Sequence, residues 1–126
     1  MSILLLPIVG IAQKPPKTLL SKDLIGQWEY TDEYEEERGF PSMIYTLNAD
    51  GTGTQFTPKY SIGSNIIPAK TVGLKWYLSG NSLIIYIDAR KMVYDNLQKE
   101  NINLLTRTYF SMFEDCNYKE TFKRIN

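Results

Sequence analysis

Between closely spaced turn signals, the side chains of this chain alternate with a period of two, and that pattern leaves few folds open. Leu74, Trp76 and Leu78 fall on one side of an extended segment, and Lys75, Tyr77 and Ser79 on the other. Met43, Tyr45 and Leu47 alternate in the same way with Ser42, Ile44, Thr46 and Asn48, and Leu83, Ile85 and Ile87 with Ile84, Tyr86 and Asp88. Successive side chains of a strand point to opposite faces, so one apolar face per strand implies an antiparallel sheet wrapped on a core. Asn48-Ala49-Asp50-Gly51 carries the Asp-Gly hairpin dipeptide, and Gly80-Asn81 fits a two-residue hairpin loop. Eight strands are predicted, over 27–31, 42–47, 52–57, 73–79, 82–88, 91–98, 102–109 and 118–125. Within them, Val93 and Leu97 are expected to share a face, as are Ile102 and Leu104. Before the first strand, Thr18 to Gly26 reads as one or two helical turns, with Leu20 and Leu24 on one face and Gly26 to end it.

A chain of 126 residues supports one domain with one core. The expected fold is all-β: an eight-stranded antiparallel up-and-down barrel with a short N-terminal helix. A two-sheet sandwich has the same strand count, but the hairpin-like spacing from the fourth to the seventh strand favours up-and-down order.

Residues 1–12 carry no charge, and Ile3 to Ile11 is apolar apart from Pro7 and Gly10. Small residues at Gly10 and Ala12, followed by Lys14-Pro15-Pro16-Lys17, read as the apolar region and cleavage site of a signal peptide. The run is shorter than the ~20 residues that a membrane-spanning helix needs. The expected organisation is a signal peptide over 1–12 cleaved near Ala12, a linker over 13–17, and the domain over 18–126. The protein is then secreted or periplasmic. The other reading of the apolar run is a strand or arm of the mature fold.

Composition narrows the chemistry. Fourteen basic residues balance fourteen acidic ones, so net charge offers no footprint for nucleic acid or an anionic membrane. The absence of His removes the commonest general base near neutral pH and the commonest metal ligand. A single Cys, Cys116, leaves no internal disulfide and no thiolate cluster. The inventory is that of a binding or structural domain rather than an enzyme, with no catalytic residues, no metal and no cofactor expected. Acid pairs are scarce too: only Asp95 and Glu120 are candidates for inward-facing carboxylates on neighbouring strands.

Several short motifs together resemble a family. Gly26-Gln27-Trp28 opens the first strand after a helical turn and resembles the Gly-x-Trp signature of lipocalins. Asp50-Gly51-Thr52-Gly53, the run Trp76-Tyr77-Leu78-Ser79-Gly80-Asn81-Ser82-Leu83 and the terminal Phe122-Lys123-Arg124 resemble, in order and spacing, the compact lipocalin-like domains of secreted proteins in Bacteroidetes-type bacteria. The resemblance spans 18–126. It implies a calycin-type barrel whose base is closed by Trp28, with Arg124 as the basic residue packed across the indole. Lipocalin lumens diverge, so no ligand-binding residue carries over. The acidic loop after the first strand is shorter than a typical lipocalin lid.

The residues expected to face the lumen are Tyr45, Leu47, Phe56, Trp76, Leu78, Leu83, Ile85 and Leu104. Such a lining suits a small hydrophobic or amphipathic molecule, oriented by tyrosine hydroxyls. The alternative is a filled barrel acting as a structural or protein-interaction module. Two segments are candidate partner surfaces: the acidic loop 32–38, otherwise a solvated hairpin tip, and the long loop 59–72 with Tyr60, Ile62, Ile66 and Ile67.

Overall fold

A computed structural model describes residues 18–125. The expected signal segment and linker lie outside the described residues. The elements are α1 (Ser21–Leu24), β1 (Gly26–Asp32), α2 (Glu33–Glu37), β2 (Met43–Leu47), β3 (Thr52–Thr57), β4 (Tyr60–Ile62), β5 (Asn65–Ile67), β6 (Lys70–Ser79), β7 (Ser82–Ile87), β8 (Arg90–Tyr94), β9 (Gln98–Asn101), β10 (Leu104–Ser111) and β11 (Cys116–Arg124).

Nine strands form one antiparallel sheet in the order β8-β7-β6-β3-β2-β1-β11-β10-β9. The order follows the chain at every step but two. The β4–β5 hairpin is inserted between β3 and β6, and β1 pairs with β11 to join the two ends of the domain. The fold is all-β and up-and-down, and the sheet curls into a half-barrel. β8 and β9 are consecutive in the chain but do not pair, so they are its two edges.

The count of nine corrects the expected eight at one place. The predicted strand over 91–98 breaks after Tyr94, where Asn96 adopts a left-handed conformation (φ 51°) that ends the ladder. Val93 and Leu97 therefore do not share a face. Val93 sits opposite Ile84 on the outer surface and is exposed, whereas Leu97 is fully buried. Leu97 is tied to the β6–β7 turn: its N–H donates to the Asn81 carbonyl (2.9 Å), and Asn81 Nδ2 donates to its carbonyl (3.3 Å).

The turns follow their residues. Gly51 adopts φ +87°, and the Asp50 carboxylate accepts from the Thr52 N–H (3.0 Å) and hydroxyl (2.6 Å), which holds that carboxyl below its usual range. Gly53 answers a different need. A Cβ there would lie 2.0 Å from the Thr46 carbonyl oxygen, so only glycine lets β3 approach β2 this closely. The 59–72 connection is not a plain loop: it holds β4 and β5, and β6 begins at Lys70 rather than Gly73. Nor is the acidic 32–38 segment a bare hairpin tip. Glu33–Glu37 form one helical turn capped by Asp32, whose Oδ1 accepts the Tyr34 N–H (3.0 Å), and this turn packs on β1 and β11.

The core fills one end of the half-barrel. Leu24, Trp28, Tyr45, Leu47, Leu83, Ile85, Leu97, Leu105 and Phe122 are fully buried. α1 closes this end: the Trp28 indole N–H donates to the Leu24 carbonyl (2.9 Å). The Arg124 guanidinium lies 4.2 Å from the Trp28 ring centroid and donates to the carbonyls of Asp23 and Ile25 (2.8 Å each). Those carbonyls end a helix too short to satisfy them, so one cation covers both the indole face and the helix terminus.

Candidate functional site

The inner face of the sheet changes character within a few residues. Along β1 it runs Trp28, Tyr30, Asp32, and along β11 it runs Phe122, Glu120, Tyr118. Strand register sets Tyr30 beside Phe122 and Asp32 beside Glu120. Two carboxylates on facing positions repel, and each needs its own compensation.

Glu120 is 4% exposed, and its two oxygens are both occupied. The Tyr30 hydroxyl donates to one and the Arg107 guanidinium to the other. Arg107 also donates to Asp95, through Nε (2.9 Å) and Nη2 (2.8 Å), so it joins a buried carboxylate to an exposed one. Among the described residues Asp32 takes part in no ion pair; the Tyr109 hydroxyl donates to it at 2.9 Å. Desolvation, together with Asp32, pushes the Tyr109 phenol up from its ordinary value.

Below this layer the tyrosines interlock. The Tyr30 ring meets Tyr94 edge to face at 5.3 Å and Tyr45 at 5.7 Å. The Tyr45 and Tyr94 hydroxyls are 2.9 Å apart, and Gln55 Nε2 donates to Tyr45 Oη (2.9 Å). Burial raises the Tyr30, Tyr45 and Tyr94 phenols above their ordinary value.

Above the tyrosines the half-barrel opens into a cleft of about 340 Å³, lined by Tyr30, Asp32, Glu35, Phe40, Pro41, Met43, Thr57, Tyr60 and Tyr94. Tyr30 and Tyr94 are its buried rings. Phe40 and Tyr60 are half-buried and tilted against each other at 5.7 Å. Asp32 and Glu35 are its only charged linings. The β4–β5 hairpin and the acidic turn, singled out in the sequence as separate surfaces, thus meet at one opening. A smaller hollow of about 290 Å³ lies across Thr57 and Tyr60, walled by Ile67, Pro68, Ala69 and Lys70.

None of the eight residues expected to line the lumen lines this cleft. Tyr45, Leu47, Trp76, Leu83 and Ile85 face inward and are packed into the core, and Leu78 is half-buried against it. Trp76 is further fixed by its indole N–H, which donates to the Asn48 carbonyl in the β2–β3 turn (3.0 Å).

Phe56 and Leu104 are corrections. Phe56 pairs with Ile44 on the outer face, and Gln55 takes the inner place beside Tyr45. Leu104 pairs with Lys123 on the outer face. A register shift between Leu104 and Leu105 in the β9–β10 ladder accompanies this, and Leu105 is the core residue. The acid pair also changes. Asp95 is more than half exposed, and the facing inward carboxylates are Asp32 and Glu120. Tyr30, Tyr94, Met43 and Thr57 carried no signal in the sequence beyond ordinary strand residues. Asp32, Glu35 and Tyr60 belonged to the two segments marked for partners.

Among the described residues, no group of three or more acidic or Cys side chains is placed to hold a metal ion, and no helix is long and apolar enough to cross a membrane. Cys116 is exposed and free. No protein-family model matches the sequence, and no curated protein matches it.

Proposed function

We propose that this protein is a lipocalin-like binder of a small amphipathic molecule, held at the open end of the half-barrel and not chemically altered there. The observation that carries the reading is the cleft of about 340 Å³, walled by two buried and two half-buried aromatic rings. That volume is at the lower end of the roughly 300–1,000 Å³ of small-molecule sites. The Tyr30 and Tyr94 hydroxyls are engaged by Glu120 and Tyr45, so these two rings offer a ligand their apolar surfaces rather than their hydroxyls. A non-catalytic role is favoured by Glu120, the most buried carboxylate, whose oxygens are both held inside the network. Kinship with lipocalin-like domains is favoured by the Trp28–Arg124 stack at the closed end.

The test is native mass spectrometry of protein purified from its own host, beside a Thr57→Trp variant that fills the cleft. A co-purifying small molecule on the wild type and not on the variant is the expected result. Equal loading of both, or a clean spectrum for the wild type together with no binding across a panel of amphipaths, rejects the reading. Export is part of the same proposal. Its check is the N-terminal residue of the mature protein, expected next to Ala12.

A second reading, a protein-interaction module, is favoured by a separate observation. In the β10–β11 turn Met112 and Phe113 are 84% and 98% exposed, beside half-exposed Phe110. Contiguous exposed apolar side chains are a feature of protein–protein contact surfaces.

A further inference from the structure

We infer that the molecule held in the cleft carries a cationic ammonium group, seated between the aromatic rings and the carboxylates of Asp32 and Glu35. The inference rests on the binding reading above and adds the charge class of the ligand.

Three features of the cleft converge on it. The first is the lining. Of its nine residues, four are aromatic, two are carboxylates and none is basic. Ring faces carry the negative part of the aromatic quadrupole, so they attract a cation and repel an anion. The second is the lack of an internal cation. Among the described residues neither Asp32 nor Glu35 takes part in an ion pair, whereas Glu120, Asp95, Asp23 and Glu114 each do. Asp32 is held by neutral donors alone, the Tyr109 hydroxyl and the Tyr34 N–H, which orient its charge without cancelling it. The third is the field from beneath. Arg107 is the cation bonded into the inner network and is shared by Glu120 and Asp95, so these three sum to −1 before Asp32 and Glu35 are added; Arg90, exposed at the start of β8, acts on Tyr45 but does not line the cleft.

The basic residues near the opening are elsewhere. Lys70 lines the neighbouring hollow, across Thr57 and Tyr60, not the cleft itself. Arg38 stacks on Tyr34, 3.5 Å from its ring centroid, and pairs with Glu114. A ligand with an ammonium head and an apolar body would place its head between Asp32, Glu35 and the rings. Its body would lie against Met43 and Pro41.

The experiment compares three molecules that share one body: 4-phenylbutylamine, 4-phenylbutanol and 4-phenylbutyrate. Each is titrated calorimetrically into the protein at neutral pH, and ring resonances of Tyr30, Tyr60 and Tyr94 report the place of binding. The amine is expected to bind on the order of tenfold tighter than the alcohol, and the butyrate more weakly than either. Glu35→Gln, and separately Asp32→Asn, should each reduce the amine's advantage over the alcohol. Glu35 serves as the cleaner variant, because Asp32 also caps α2. An alcohol or butyrate that binds as well as the amine overturns the charge assignment and leaves the binding reading standing. An amine preference that survives both variants also overturns it. If none of the three perturbs the cleft rings, the inference and the reading beneath it fail together.

Discussion

The closed end and the open end of the half-barrel are made from the same strands, yet they handle polar groups in opposite ways. At the closed end the polar atoms around Trp28 are backbone carbonyls, each answered by the indole N–H or by Arg124. At the open end they are side-chain carboxylates and phenols, and Asp32 is answered only by neutral donors. Only three residues of β1 lie between Trp28 and Asp32. The sheet therefore imposes no uniform interior. Where both carbonyls and rings are covered, the space is filled. Where carboxylates face one another across β1 and β11, packing stops short and a cleft remains. On the proposed binding role, the difference places stability at one end and recognition at the other.

Breaking the closed end should cost most. Trp28→Ala removes a fully buried indole and strands Arg124 over the gap, with an expected loss of about 3–5 kcal/mol in urea denaturation. Glu120→Ala strikes the open end: it takes the carboxylate acceptor from the buried Tyr30 hydroxyl and from one side of Arg107. Because Asp95 still holds Arg107, the expected loss is smaller, about 2–3 kcal/mol. If Glu120→Ala proves as costly as Trp28→Ala, the division between a stabilising and a recognising end does not hold.

Much of the closed end is legible in the sequence, because a period-two apolar pattern is a local signal. Tyr45, Leu47, Trp76, Leu83 and Ile85 are inward as their alternation requires, and the Gly51 and Gly80 turns sit where their dipeptides place them. Phe56 misleads because it is apolar. Register puts Gly53 and Gln55 inside, opposite Leu47 and Tyr45, and no hydrophobicity rule would choose Gln over Phe. Leu104 misleads because two leucines are adjacent and the neighbouring strand shifts register at that point, so alternation alone cannot decide between them. The cleft is less legible still. Asp32 and Glu120 are paired across strands from the two ends of the domain, and Tyr94 of the edge strand β8 reaches Tyr30 of the interior strand β1 across the inside of the curled sheet. Only curling of the whole sheet creates those contacts.

The tyrosine layer between the two ends gives a third, smaller effect. Tyr30→Phe keeps the ring and removes one donor to Glu120, for an expected loss of about 1–2 kcal/mol. It should also change the alkaline limb of stability. The folded Tyr30, Tyr45 and Tyr94 hold their protons above the ordinary phenol value of 10.0. Above that pH the unfolded chain releases protons that the fold retains, so stability is complete below about pH 10 and falls as pH rises further. Phe at position 30 removes one of the raised phenols, and stability should then fall less steeply between pH 10 and 11. An identical alkaline slope for wild type and variant would mean that the layer is not sealed from solvent, which would blur the boundary between the two ends.

The smallest expected effect concerns the outermost part of the open end. Phe113 is nearly fully exposed and Met112 almost as much, so replacing both by Ser removes little buried surface and should alter stability by no more than about 0.5 kcal/mol. Its value lies in what else it changes. Met112 and Phe113 line a hollow beside the cleft together with Tyr34, Glu35 and Tyr109, and among the described residues Glu35 alone lines both hollow and cleft. If the cleft is the recognising element, Met112→Ser with Phe113→Ser leaves amine binding unchanged. A partner protein captured from the host by wild type and lost by this variant would instead place recognition on the turn. The cleft would then be a consequence of opposed carboxylates rather than a site. Measuring both readouts on the same variant separates the two, because a stability change this small cannot account for a lost ligand or a lost partner.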